Sequence, residues 1–317
     1  MTKEVPPSQR HLEAARHLKQ QSVSEFDSSP PNWVVSTDGR RELFPEEAVA
    51  LLAQLQGEPL DDNARKRITA QQLFYTLDYY VAAEQGAVRD ACERLSDPKF
   101  LPRLPQHLRA GAREVSRQEK AHSEAFVRLG EWIRRQTMID PLDQQPVFLL
   151  GLDELVKRSA QPPTAMVVFA ALTEVYPPTL APLLAGKPHI EEAVRTVFLE
   201  HEDEELLHRA YWWHVLDQLW RVLDSGLRLE LKQQMPRMLG CHMRSDTVAS
   251  LKILRECLPS LADPEARVRT MTSADSSARY TGGEVAAGLR DIGILEDSET
   301  ASFVDSVVNS VKDCLLP

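Results

Sequence analysis

The chain has 317 residues, 43% of them hydrophobic and 26% charged, and carries a formal charge of −10. This is the composition of a folded globular protein rather than a disordered one. No apolar run reaches the roughly 18 residues of a membrane span, and an acidic balance without a clustered basic footprint argues against nucleic-acid binding. The N-terminus, Met1-Thr2-Lys3-Glu4-Val5-Pro6-Pro7, lacks the basic and apolar regions of a secretory signal, so a cytoplasmic protein is expected. Cys92, Cys241, Cys257 and Cys314 form no C-x-x-C pair and read as ordinary thiols.

Text rich in Ala, Leu, Glu, Arg and Gln, with few glycines, predicts an all-α protein. Residues 1–65 are polar and broken by Pro6-Pro7 and Pro30-Pro31; they read as an N-terminal arm with short helices near 8–21 and 45–56. A helical-bundle core over 66–225 follows. Its first helix spans about 66–95, stopped by Ser96-Asp97-Pro98, and its second about 106–136, between Pro105 and Asp140-Pro141. A shorter helix over about 145–159 precedes an almost wholly apolar one bracketed by Pro162-Pro163 and Pro177-Pro178, the pattern of a buried helix. The next runs from near Pro188 to Leu223, with Gly226 as a stop. Residues 226–317 read as further helices packed on the same domain, interrupted at Pro236, at Pro259 and by the Ser/Thr/Gly-rich stretch 272–283.

Four of these helices carry acids where a bundle seam calls for leucine. The second reads Leu108, Ala112, Val115, Glu119, His122, Phe126, Leu129 and Ile133 in steps of three and four, which is one helix face. The helix near 200 reads Ile190, Val194, Val197, His201, Glu205, His208, Trp212, Val215, Leu219 and Val222. The first reads Leu73, Leu77, Tyr80, Glu84, Val88, Ala91 and Leu95, and Glu174 is the lone charge of the apolar helix. Isolated buried carboxylates cost several kcal/mol each, so four converging on one core need compensating cations. Two divalent ions would balance Glu84, Glu119, Glu174 and Glu205 with neutral histidine co-ligands. Bundle-core dinuclear sites are built in this way, from one Glu on each of two helices and a Glu-x-x-His on each of two others. Here the pairs are Glu119/His122 and Glu205/His208, with His201 one turn before Glu205. Carboxylate and imidazole ligands suit iron or manganese, and zinc could occupy them without redox chemistry.

The order Glu84, Glu119-x-x-His122, Glu174, His201-x-x-x-Glu205-x-x-His208 resembles the p-aminobenzoate N-oxygenase family of ferritin-like diiron oxygenases over about residues 65–225. The resemblance implies a ferritin-like fold with two iron ions held by these seven residues. Glu84, Glu119 and His122 would serve mainly one ion and Glu174 and His208 the other, with Glu119 and Glu205 bridging and His201 adding a third nitrogen. It implies O₂ as co-substrate, an external electron donor or redox partner, and oxidation of a small-molecule primary amine to hydroxylamine, nitroso or nitro. A homodimer is implied as well. Where the family's aminobenzoate enzyme carries a tyrosine and an arginine ahead of the first ligand, this chain has Thr76 and Tyr79, so an amine other than aminobenzoate is expected. Thr76, Tyr79, Tyr80, Tyr176, Tyr211 and Trp212 are candidate pocket residues.

Glu204 and Gln118, each preceding a ligand glutamate, are candidates to orient the histidines. His214 reads as structural, and His11, His17, His107, His189 and His242 have no spacing that supports a role. Two other readings keep the metal site: C–H hydroxylation, desaturation or C–C cleavage in place of N-oxygenation, and non-catalytic iron storage.

Overall fold

The computed structural model describes residues 41–176, 180–270 and 275–313. The expected helix near 8–21 lies outside them. Among the described residues the protein is an all-α bundle. Among those residues the one β feature is an isolated bridge of Glu42 with Ile190, and none of the described helices is long and apolar enough to cross a membrane.

A 3₁₀ turn at Glu46–Ala48 leads into short α1, Ala50–Gln54. The long α2, Asp62–Ala82, begins four residues earlier than the periodicity predicts, because Asp61 caps it by accepting the Ala64 amide at 2.7 Å. It passes through a π turn, Ala83–Val88, into α3, Arg89–Ser96. Then come α4 (Gln106–Thr137), α5 (Val147–Arg158), α6 (Pro162–Glu174), α7 (Ala181–Ala185) and α8 (Glu192–Val222). The C-terminal part supplies α9 (Ser225–Met243), α10 (Thr247–Cys257), α11 (Pro264–Thr270), α12 (Asp275–Asp291) and α13 (Thr300–Asp313).

Four helices close a ring: α2 and its continuation α3 pack on α4, α4 on α8, α8 on α6, and α6 back on α3 and the π turn. All eight stripe positions of α4 are buried as expected. Two apolar cores fill the bundle on either side of its middle. One contains Val88, Val115, Val168, Trp212 and Leu219; the other contains Leu73, Phe126, Leu129, Val194 and Val197. The acids and histidines occupy the seam between them.

Three expectations change. Residues 41–55 do not simply lie over the core: Phe44, Val49, Leu51, Leu52 and Leu55 are buried members of the second core. Pro236 does not interrupt α9, which continues through it because Met235, Met238 and Leu239 on both sides are buried and packing offsets the lost hydrogen bond. From Asp275 onward the Ser/Thr/Gly-rich stretch is helical. A Cβ on Gly282 would stand 3.5 Å from Val307, in ordinary van der Waals contact, so this face of α12 packs directly on α13.

Candidate metal centre

The first ligand sits where the helix itself changes. The seam of α2 runs through Tyr80, Glu84 and Val88, and around this ligand the backbone widens into the π turn over Ala83–Val88. The extra residue per turn keeps Glu84 on the inner face. Glu119 and His122 lie at mid-α4, Glu174 is the last residue of α6, and His201, Glu205 and His208 line one face of α8.

The structure brings all seven together. Each oxygen of Glu119 addresses a different histidine: Oε1 lies 2.9 Å from Nδ1 of His208 and Oε2 3.4 Å from Nδ1 of His122. Glu205 Oε1 stands 3.0 Å from Nδ1 of His208 and 3.4 Å from both Nδ1 of His122 and Nε2 of His201. Glu119 and Glu205 therefore each lie within reach of more than one histidine. Glu84 Oε1 faces Nε2 of His201 at 3.0 Å, while its Oε2 accepts the buried Ser123 hydroxyl at 2.9 Å. Glu174 Oε2 is 3.8 Å from Nδ1 of His208. Two ligand groups result, Glu119/His122/Glu205/His208 and Glu84/His122/His201, sharing His122.

The outer ring nitrogens explain why the inner ones face the carboxylates. Nε2 of His122 lies 3.0 Å from Glu204 Oε2, and Nε2 of His208 lies 2.9 Å from Gln118 Oε1. Both partners are acceptors there, so each Nε2 keeps its proton, and with a metal ion bound each Nδ1 would be free to present a lone pair inward.

The electrostatics show what the cluster lacks. Burial pushes Glu84 up to about 6 despite His201, and pushes Glu174 well above the carboxylate range, where Glu205, Glu119 and Glu84 add to the rise. Burial also opposes charge on Glu205 and on His208. Their mutual attraction outweighs it, holding Glu205 well below its usual value and pushing His208 up to about 10. Protons thus do the work of cations in this site. Oε1 of Glu119 and Oε2 of Glu174 are sealed from solvent and make no aligned hydrogen bond. Orphaned buried carboxylate oxygens, three inward imidazole nitrogens and no thiolate fit a pair of divalent metal ions.

A cavity of about 430 Å³ opens beside the cluster, and Glu84, Glu174, His201 and Glu205 form part of its wall. Of the six expected pocket residues, Thr76, Tyr79, Tyr80 and Tyr176 line it. Tyr211 and Trp212 do not, which corrects that expectation. Both are fully buried in the first core, and Tyr211 donates its hydroxyl to the Leu108 carbonyl of α4 at 2.9 Å.

The pocket also contains residues that spacing does not single out. Tyr75, Glu202 and Arg209 line it, with Arg209 donating to Glu202 Oε1 at 3.2 Å. So does His242, near the end of α9, which the sequence pattern leaves without a role. Burial pushes it down to about 3, so it is a neutral ring. His107 is not isolated either: its Nε2 lies 3.0 Å from Nε2 of His214.

No protein-family model matches the chain, and no curated protein matches it at a significant level.

Proposed function

We propose that the cluster holds two iron ions and that the chain is a diiron N-oxygenase acting on a small-molecule primary amine. Glu84, Glu119, His122, Glu174, His201, Glu205 and His208 would hold the ions. When bound and reduced by an external donor, such a pair supplies the activation of O₂ that no side chain provides. The supporting observation is the juxtaposition of seven inward-facing carboxylates and imidazoles with a cavity of about 430 Å³ walled by four of them. A storage protein has no use for that cavity, which is of the size small-molecule sites occupy.

The chain's own residues divide the remaining work. Glu204 and Gln118 fix the tautomers of His122 and His208. Ser123 orients Glu84. Tyr80, edge-on to His201 at a centroid distance of 5.3 Å, keeps the cavity wall beside that histidine aromatic.

The test loads the protein with Fe(II) without oxygen, then adds O₂, reductant and a panel of aryl and amino-acid-derived amines, with products identified by mass spectrometry. Oxygen placed on nitrogen, dependent on iron and reductant, is the expected result. Oxygen on carbon, or carbon–carbon cleavage, would overturn N-oxygenation while leaving the metal centre. Iron uptake with no product from any amine would overturn the reading as an amine oxygenase. His201→Ala should keep the fold and lose metal or turnover; full occupancy and full activity would remove His201 from the ligand set.

A further inference from the structure

A second cavity of about 200 Å³ adjoins the first and shares Ala48, Tyr75, Tyr79 and His242 with it. The hydrogen bonds at this junction all run in one direction. Thr173 donates its only hydroxyl proton to the Phe169 carbonyl one turn back, at 3.0 Å. Its Oγ1 is then an acceptor toward Nε2 of His242, 2.6 Å away, so Nε2 carries the proton of the neutral ring. Nδ1 is left as an acceptor, and it takes the Tyr79 hydroxyl proton at 2.8 Å.

Tyr75 is committed in the same manner, donating to Asp246 Oδ2 at 3.0 Å. That carboxylate is itself fixed, because it also accepts the Val147 amide at 3.0 Å and caps α10 through the Ala249 amide at 2.8 Å. Thr76 gives its proton to the Gln72 carbonyl at 2.9 Å. Four hydroxyls at the junction and along the main cavity therefore turn only lone pairs outward. The cations nearby are Arg209, which donates to Glu202 through Nη2 while its Nε makes no hydrogen bond, and Arg244, which lines only the smaller cavity.

Building on the amine-oxygenase reading, we propose that the junction selects substrates whose end remote from the metals is a hydrogen-bond donor, a hydroxyl or second amine, and discriminates against a carboxylate there. Tyr79 and Tyr75 are the specificity residues. Thr173 and His242 are positioning residues, setting the direction of the Tyr79 proton. At the junction itself, where Tyr75 and Tyr79 offer only acceptors, a carboxylate's lone pairs would face lone pairs, whereas a donor completes each phenol's coordination.

The test is calorimetric binding to the zinc-loaded full-length protein, in which no turnover occurs. The probes are 4-aminophenol, 4-methoxyaniline and 4-aminobenzoate, with phenol, anisole and benzoate as their amine-free counterparts. One neutral hydrogen bond predicts that 4-aminophenol binds about three- to tenfold tighter than 4-methoxyaniline, with 4-aminobenzoate weaker still. Tyr79→Phe should reduce that advantage. Thr173→Val, close in volume, removes the acceptor at Nε2; the ring should then donate from Nδ1 to Tyr79, turn the phenol proton outward and shift preference toward 4-methoxyaniline and 4-aminobenzoate. Tightest binding of 4-aminobenzoate by the unaltered protein would overturn the proposal and place recognition on an arginine. An unchanged order in folded Thr173→Val would also overturn it. The amine-free probes separate this inference from the reaction: phenol favoured over anisole and benzoate without any amine oxidation upholds the wall and sinks the oxygenase, and oxidation without that preference does the reverse.

Discussion

Two pairs of neighbouring aromatics flank the ligand cluster. Tyr79 and Tyr80 come one turn before Glu84, and Tyr211 and Trp212 come one turn after His208. By spacing they are equivalent, yet the first pair lines the cavity and the second fills a core. What stands opposite decides. Tyr211 faces Gly111 of α4, where a Cβ would lie 2.6 Å from its ring, so α4 and α8 close on each other and leave no space. Opposite Tyr79 stand Phe148 and, at the end of α9, His242, and opposite Tyr80 stands His201 of the cluster, with the cavity of about 430 Å³ between these elements. Proximity to a ligand in sequence therefore marks a candidate pocket residue, but the facing element determines whether it is one.

Five substitutions, two of them controls, bear on that contrast. Trp212→Ala should cost the most, about 3–5 kcal/mol in urea denaturation, because the indole is fully enclosed. Tyr80→Ala, on the cavity side, should cost less than half as much, and equal losses would erase the distinction between the two sides. Gly111→Ala comes next: forcing a methyl into the Tyr211 ring predicts about 1–3 kcal/mol. Its control is Gly86→Ala in the π turn, where a Cβ meets only Leu149 at 3.9 Å and the change should stay within about 1 kcal/mol. Smallest is Tyr211→Phe, which should lose about 1 kcal/mol with the Leu108 hydrogen bond and leave probe binding unaltered. Altered probe affinity would return Tyr211 to the pocket.

Much of the site was legible in the sequence because a ligand on a helical seam replaces an expected apolar residue, and period alone reveals it. Glu84, Glu119, His122, His201, Glu205 and His208 lie on seams, and Glu174 stands out as the lone charge of an apolar helix; the π turn around Glu84 is not legible, since the same doubled four-residue step at Val197, His201 and Glu205 stays α-helical. Glu204 and Gln118 were reachable as neighbours of ligands. His242 was not, since it reaches the cavity from α9 through packing that no local spacing records. Arg109 is similar: buried, it donates to the Leu95, Phe100 and Leu101 carbonyls at 3.0, 3.0 and 2.8 Å, closing the turn after α3, a role set by tertiary structure alone.

We propose that the buried charges of the seam hold two metal ions. Anaerobic Fe(II) titration with metal analysis, on the unaltered chain and on Glu205→Ala, tests it most directly. About two ions per chain are expected for the unaltered protein and severe loss in the variant, since Glu205 faces all three histidines. The sign of the pH dependence follows as well. Ions must displace protons from Glu84, raised to about 6, and from His208, raised to about 10, so binding releases protons and affinity climbs with pH across that range. Absence of stoichiometric iron, or binding indifferent both to pH and to Glu205, would contradict it.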